Sequence, residues 1–122
     1  MPNYVDGFVL PVPKKNLPAY LKIARKAGKI WKEHGALEYR ECVAEDIDHK
    51  NIFVSSFADS VDAKRGETVI FAWIVYKSRA HRDRVNAQVM QDPRMDKLVD
   101  PKKPPFDMKR MLYGGFSVKV DQ

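Results

Sequence analysis

The sequence predicts an α+β fold, a four-stranded antiparallel sheet with two helices on one of its faces. Three observations predict it. Strand-like and helix-like periodicities follow one another in the order β-α-β-β-α-β. The segment from Leu17 to about His34 carries apolar residues at helical spacing on one face and cations on the other. The segment Glu67 to Lys77 is apolar on both of its alternating sides, so one helical layer cannot cover it.

Each element has its own signal. Tyr4 to Val12 alternates loosely and closes at Pro11 and Pro13, as a first strand does. Asn16 is the candidate N-cap of helix one, and Pro18 sits in the first turn, where a missing N–H costs nothing. The helix carries Leu17, Tyr20, Leu21, Ala24, Ile30 and Trp31 toward a core, with Ile23 and Ala27 beside them, and Gly35 stops it. Leu37 to Ala44 alternates again and reads as strand two. Residues 45–65 are polar at both ends, with IFVSSF between and a short helix expected over Ser55–Ala63. Strand three is rich in Val, Ile, Phe and Trp. Ser78 caps helix two, whose Ala80, Val85 and Val89 should face inward, and Asp92-Pro93 ends it. A further turn is expected over Arg94–Leu98, then a proline-rich loop over Asp100–Asp107. Arg110 to Val120 is strand four, where Gly114-Gly115 marks a bulge or a close backbone approach.

This order is the ferredoxin-like split βαβ pattern. Both helices would cover one face of the sheet. Strand three offers Val69, Phe71, Trp73 and Val75 on one side and Ile70, Ala72, Ile74 and Tyr76 on the other. The simplest cover for the second side is another copy of the same sheet, so the expectation is a symmetric homodimer, a dimeric α+β barrel. The competing reading is a monomer whose long loops fold over the open face.

Composition bounds the rest. A chain of 122 residues is one domain, residues 1–122, with 44% hydrophobic residues and a core that needs no staples. The lone Cys42 makes no internal disulfide, which fits a reducing, cytoplasmic setting. The first residues, with Asp6 and three prolines, do not read as a signal peptide, and no apolar run spans a membrane. The net charge of +6, from 22 Lys and Arg against 16 Asp and Glu, permits nucleic acid or acidic ligands but does not demand them, and a solvated basic surface is the plainer explanation.

Two stretches, WKEHGALEYRECV at Trp31–Val43 and ETVIFAWIVYKSRAHRDRVNAQVMQDPRM at Glu67–Met95, resemble the YbaA-like family of small bacterial proteins, a domain of unknown function. The strand-to-helix junction WIVYKSRAHRDRVN is the distinctive part. The resemblance implies a dimeric α+β barrel related in fold to the antibiotic-biosynthesis monooxygenases. It implies no reaction.

Candidate chemistry is sparse. If Trp73 points into a barrel, Asp6, Tyr39, Glu41 and Tyr113 are its expected neighbours from the other strands. A buried carboxylate beside aromatics, Asp6 or Glu41, would shuttle protons; the plainer reading pairs each with Arg40, Arg110 or a partner-subunit residue. His81 lies on the inward stripe of helix two with Val85 and Val89, as a general base at the barrel mouth or simply as a core residue. Arg82, crowded by Arg79 and Arg84, would grip a carboxylate or phosphate, or form a solvated or salt-bridged face. His34, His49 and His81 lack metal-ligand spacing, so no metal or other cofactor is expected. Haem-degrading relatives of the barrel use an Asn, a Trp and an axial His; here Trp73 and His81 are present, but strand one offers Asp6. The only nucleic-acid footprint is the basic face of helix one with Lys102-Lys103, and the aromatics fall at buried spacings, so nucleic acid is disfavoured.

The functional expectation is therefore a cytoplasmic homodimer that binds a small, partly apolar organic molecule. Its pocket would lie between sheet and helices or inside the barrel, lined by Trp73, Tyr39 and Tyr113, with His81, Arg82, Asp6 or Glu41 handling a proton or an anion. Cofactor-independent oxygenation or isomerisation is the catalytic version, by fold analogy. The alternatives are a non-catalytic binding or interaction module and, behind it, RNA binding.

Overall fold

The computed structural model describes residues 2–47 and 54–122. The described residues form β1 (Tyr4–Pro13), α1 (Leu17–Glu33), β2 (Glu38–Val43), α2 (Phe57–Ser60), β3 (Glu67–Tyr76), α3 (Arg79–Gln91), α4 (Pro93–Asp96) and β4 (Leu112–Ser117). The four strands make one antiparallel sheet in the order β2-β3-β1-β4, which is the ferredoxin-like arrangement the sequence predicts. His49, Ile52 and Phe53 lie outside the described residues.

Local chemistry explains the boundaries. Gly35 takes φ +116, a left-handed conformation that ends α1. Its N–H bonds to the Lys32 carbonyl and that of Ala36 to Trp31, which satisfies the last helical carbonyls. At the other end the expectation changes. Asn16 makes no side-chain cap; its Nδ2 donates instead to the Pro105 carbonyl at 3.3 Å, tying the proline-rich loop to the helix start. A 3-10 turn over Lys14–Asn16 leads directly into the helix and supplies the entry that a cap would otherwise define. Ser78 does cap α3, its Oγ accepting from the His81 N–H at 3.1 Å. Val85 and Val89 are buried as expected, but Ala80 is exposed because it shares the outward helix face with Asp83, Arg84 and Ala87, which are exposed too. Asp92 caps α4 and accepts from His34, and Arg94 bridges Asp92 to Glu33, so the ends of α1 and α3 are held together.

The sheet register decides which residues share a face. Asp6, Phe8, Leu10 and Val12 of β1 stand opposite Ile74, Ala72, Ile70 and Thr68 of β3. Tyr39 pairs with Ile74, Glu41 with Ala72, and Tyr113 with Phe8. Side chains alternate along a strand, so these residues all lie on the face that α1 and α3 cover. The outer face carries Val5, Val9, Phe71, Trp73, Arg40, Leu112 and Phe116. The ladder runs unbroken through Gly7↔Gly114 and Asp6↔Gly115, so the glycine pair is no bulge. It is the close approach: a Cβ on Gly115 would run into the Tyr4 hydroxyl.

Beneath the helices the core divides into two clusters. Leu10, Val12, Tyr20, Ala24, Ile70 and Ala72 form one; Ile30, Ala36, Ile74, Tyr76, Val85 and Val89 form the other. Phe8 packs against both. Gly28 lets α1 settle on β2, since a Cβ there would lie 2.7 Å from the Tyr39 ring. No helix among the described residues is long and apolar enough to cross a membrane.

Candidate functional site

A cavity of about 370 Å³ opens between the two core clusters, over Ala72 and Ile74 of β3. Two residues of α1 frame it. Tyr20 and Trp31 lie about three helical turns apart on one line, with Ala24, Ala27 and Gly28 between them. Large side chains at the ends of this line and small ones along it hold the helix close to β2 while the rings border the gap. Phe8, Phe106, Met111 and Tyr113 complete the apolar wall.

Three polar groups converge on this space. At one end the Glu41 carboxylate accepts from two phenols, Tyr20 at 2.7 Å on Oε1 and Tyr39 at 2.7 Å on Oε2. Burial, and then the Glu41 charge beside them, pushes both phenols well above their ordinary range. They therefore remain neutral donors at physiological pH. At the opposite end Asp6, 1% exposed, accepts from Arg82 Nη1 at 2.7 Å and from the Tyr113 hydroxyl at 3.1 Å. Arg82 Nη1 also lies 2.7 Å from the Tyr113 hydroxyl, its Nε donates to Asp83 at 2.8 Å, and its guanidinium sits 4.9 Å from the centre of the Tyr4 ring. Burial, then Asp6, raises the Tyr113 phenol as well. Between the two ends, Asn86 Oδ1 accepts from Trp31 Nε1 at 3.3 Å and from Tyr76 at 3.1 Å.

The arrangement brings Asp6, Glu41, Tyr39 and Tyr113 to one cavity and seats Arg82 against Asp6. It does not bring them to Trp73. The register places Trp73 on the outer face beside Phe71, with its Nε1 donating to Glu38 at 2.9 Å. The expected neighbourhood is thus corrected: the four polar residues share the face of Ile74, one strand position away and on the other side of the sheet. His81 also stands apart from the cavity. Its Nδ1 accepts from the Lys77 N–H at 3.0 Å, its Nε2 lies against Gly35, and its ring meets Tyr76 edge-on. Burial, then Lys77 and Arg84, lowers its pKa, so the imidazole stays neutral as an acceptor at the start of α3. Among the described residues no cluster of His, Cys, Asp and Glu is placed to hold a metal ion.

Tyr20 and Trp31, core positions by their helical spacing, border the cavity, and Asn86 and Phe106 join the wall without a signal in the local sequence. The signal for the first two was present: aromatics about three turns apart separated by small residues imply space rather than filling. Phe106 enters from the proline-rich loop, and no local pattern foretells that.

Comparisons with known proteins agree with this architecture. The family described as "Protein of unknown function (DUF1428)" matches residues 3–108. The uncharacterised protein YbaA of Escherichia coli K12 is 44% identical over 120 residues, covering 98% of this chain and 99% of that protein, and YbaA of Shigella flexneri matches equally. The resemblance to YbaA-like proteins is thereby borne out. Among solved structures, a dimeric ferredoxin-like protein from an uncultured marine organism aligns over 100% of both chains, with a TM-score of 0.60 at 11% identity. A nipsnap family protein of unknown function from Agrobacterium tumefaciens covers 95% of this chain and 87% of its own, with a TM-score of 0.58 at 16% identity. Likeness at such identities establishes the shared fold.

Proposed function

The chain belongs to the DUF1428 family, and from that premise we propose that it is a cytoplasmic protein that binds a small, largely apolar organic molecule in the cavity between sheet and helices. The observation that carries this is the cavity itself: about 370 Å³, walled mainly by aromatic and aliphatic side chains, with a few convergent polar groups at fixed positions. Glu41 and Asp6 mark its two polar ends. Tyr39 and Tyr113 contribute wall and hydroxyl, and Arg82 holds Asp6 in place. In a catalytic version, of the oxygenase or isomerase kind, the Glu41 carboxylate would be the base nearest a bound substrate. A non-catalytic ligand sensor would use the same geometry.

The same reading includes a homodimer joined through the outer faces of the two sheets. Phe71, Leu112 and Phe116 are 43%, 47% and 62% exposed there, an apolar surface of the kind that marks an association site. In such a dimer Trp73 belongs to the interface, and the cavity stays on the outside of the barrel.

Native mass spectrometry of the protein purified gently from lysate tests both parts. The expected result is a dimer with a discrete extra mass, lost in an Ala72→Leu variant whose added methyl groups fill the cavity floor. Bare protein from wild type and variant alike would count against the ligand, and a bare monomer against the dimer.

A further inference from the structure

The polar ends of the cavity differ in charge balance. Asp6 is neutralised by Arg82. Among the described residues Glu41, also at the wall, receives two hydrogen bonds, both phenolic, and no cationic side chain forms an ion pair with it. Arg40, its neighbour in β2, also borders the cavity, but its guanidinium turns to Glu38, with Nε 3.7 Å from the Glu38 Oε1. Arg25, Lys29 and Lys32 of α1 border a second cavity that Tyr39 and Glu41 also line, but none of them forms an ion pair with Glu41. Glu41 therefore brings a carboxylate with no ion-pair partner among the described residues to a space bordered by the rings of Tyr20, Trp31 and Tyr39.

We propose that this cavity selects an organic cation, an amine or quaternary ammonium with an apolar body, whose charge sits at Glu41 among these three rings. The inference rests on the reading of the cavity as a ligand site and narrows it to a ligand class. A carboxylate has about four lone-pair sites, and the two phenols occupy two of them. An anionic ligand would be repelled there. A neutral apolar ligand would strip water from Glu41 without compensating its charge, which is costly. A cation compensates it, and the negative ring faces of Trp and Tyr add to the attraction.

The two tryptophans provide the readout, because Trp31 borders the cavity and Trp73 lies on the outer face. Three probes of one size are titrated into the full chain: choline, neohexanol (its uncharged carbon analogue) and tert-butylacetate, the anion. The indole N–H signals are followed by nuclear magnetic resonance. Choline is expected to move the Trp31 signal, leave that of Trp73 in place, and bind roughly 10-fold more tightly than neohexanol. In Glu41→Gln choline should lose its advantage: its affinity falls, that of neohexanol rises as the charge it would desolvate is gone, and the two converge. Equal affinity for choline and neohexanol, or preference for tert-butylacetate, overturns the cation assignment and leaves the cavity as a ligand site. If no probe moves Trp31, the cavity reading falls and the assignment falls with it. Should Glu41→Gln fail to fold, the contrast among probes in the wild-type protein decides alone.

Discussion

Strand β3 has two apolar sides with opposite surroundings. Ile70, Ala72, Ile74 and Tyr76 lie under the helices and are buried, whereas Phe71 on the other side is 43% exposed. The covered side is not uniformly apolar. It carries a buried ion pair, a carboxylate held by two phenols and a cavity. The outer side is the plainer surface, with aromatic and aliphatic groups at its centre and the Glu67–Arg110 ion pair toward one end. The lesson is that hydrophobicity alone does not separate a binding face from an association face. The difference lies in where the enclosed polar groups stand: around a cavity on the covered side, and at one end, in the Glu67–Arg110 pair, on the outer side.

Arg82→Ala should break this contrast most severely. It removes the cation from Asp6, whose side chain is 2% exposed, and a carboxylate left alone in such a site costs about 3–5 kcal/mol. Urea unfolding of the variant should show that loss; a loss under about 1 kcal/mol would mean that solvent already reaches Asp6. Gly28→Ala comes next. The added Cβ would lie 2.7 Å from the Tyr39 ring and must push α1 off β2, at about 1–3 kcal/mol of overpacking. The same variant should weaken any ligand, since Tyr39 is a wall residue.

A third measurement separates the faces by pH. Hydrogen bonds from Arg110, at 2.7 Å to each carboxylate oxygen, lower the Glu67 carboxyl from 4.5 to about 2. A depressed carboxyl stabilises the fold above its unfolded value. That contribution is complete above about pH 4.5 and is lost as the pH falls toward 2. Glu67→Gln should therefore flatten the acid limb of the stability profile in that window and change the slope little above it. An unchanged acid limb would show that the pair is equally protonated in the folded and unfolded chain.

The smallest effect on the fold of the single chain belongs to the outer face. Phe116, 62% exposed, should tolerate Glu with a change within about 0.5 kcal/mol. Sedimentation should nonetheless shift from dimer to monomer. A variant that stays dimeric would move the interface elsewhere and leave the outer face without a role.

Much of this was open to reading along the chain. The four strands, the two main helices, the Gly35 stop and the Ser78 cap each depend on residues within a few positions of one another, and each stands close to where expected, save that β4 is shorter at both ends than Arg110–Val120, with a 3-10 turn taking Met108–Arg110 at its start. The two-sided apolarity of β3 was equally plain. Asn16 misled because a distant carbonyl, Pro105, competes for its amide. Trp73 misled because alternation says which residues of one strand share a face but not which residues of the next strand join them.

What the sequence determined by itself is thus the identity of the elements and their order, because backbone preference and side-chain period act over neighbouring residues. What the tertiary structure decided is the site. The β2–β3 register sets Tyr39 opposite Ile74 rather than Trp73, and the β1–β4 register brings Tyr113 beside Phe8, next to Asp6 on the same face. A register slip of one residue would send those hydroxyls to the outer face. The seat of α1, permitted by Gly28, then brings Tyr20 to Glu41. These meetings join residues far apart in the chain, and their geometry follows from how strands align and helices pack, which no local pattern encodes.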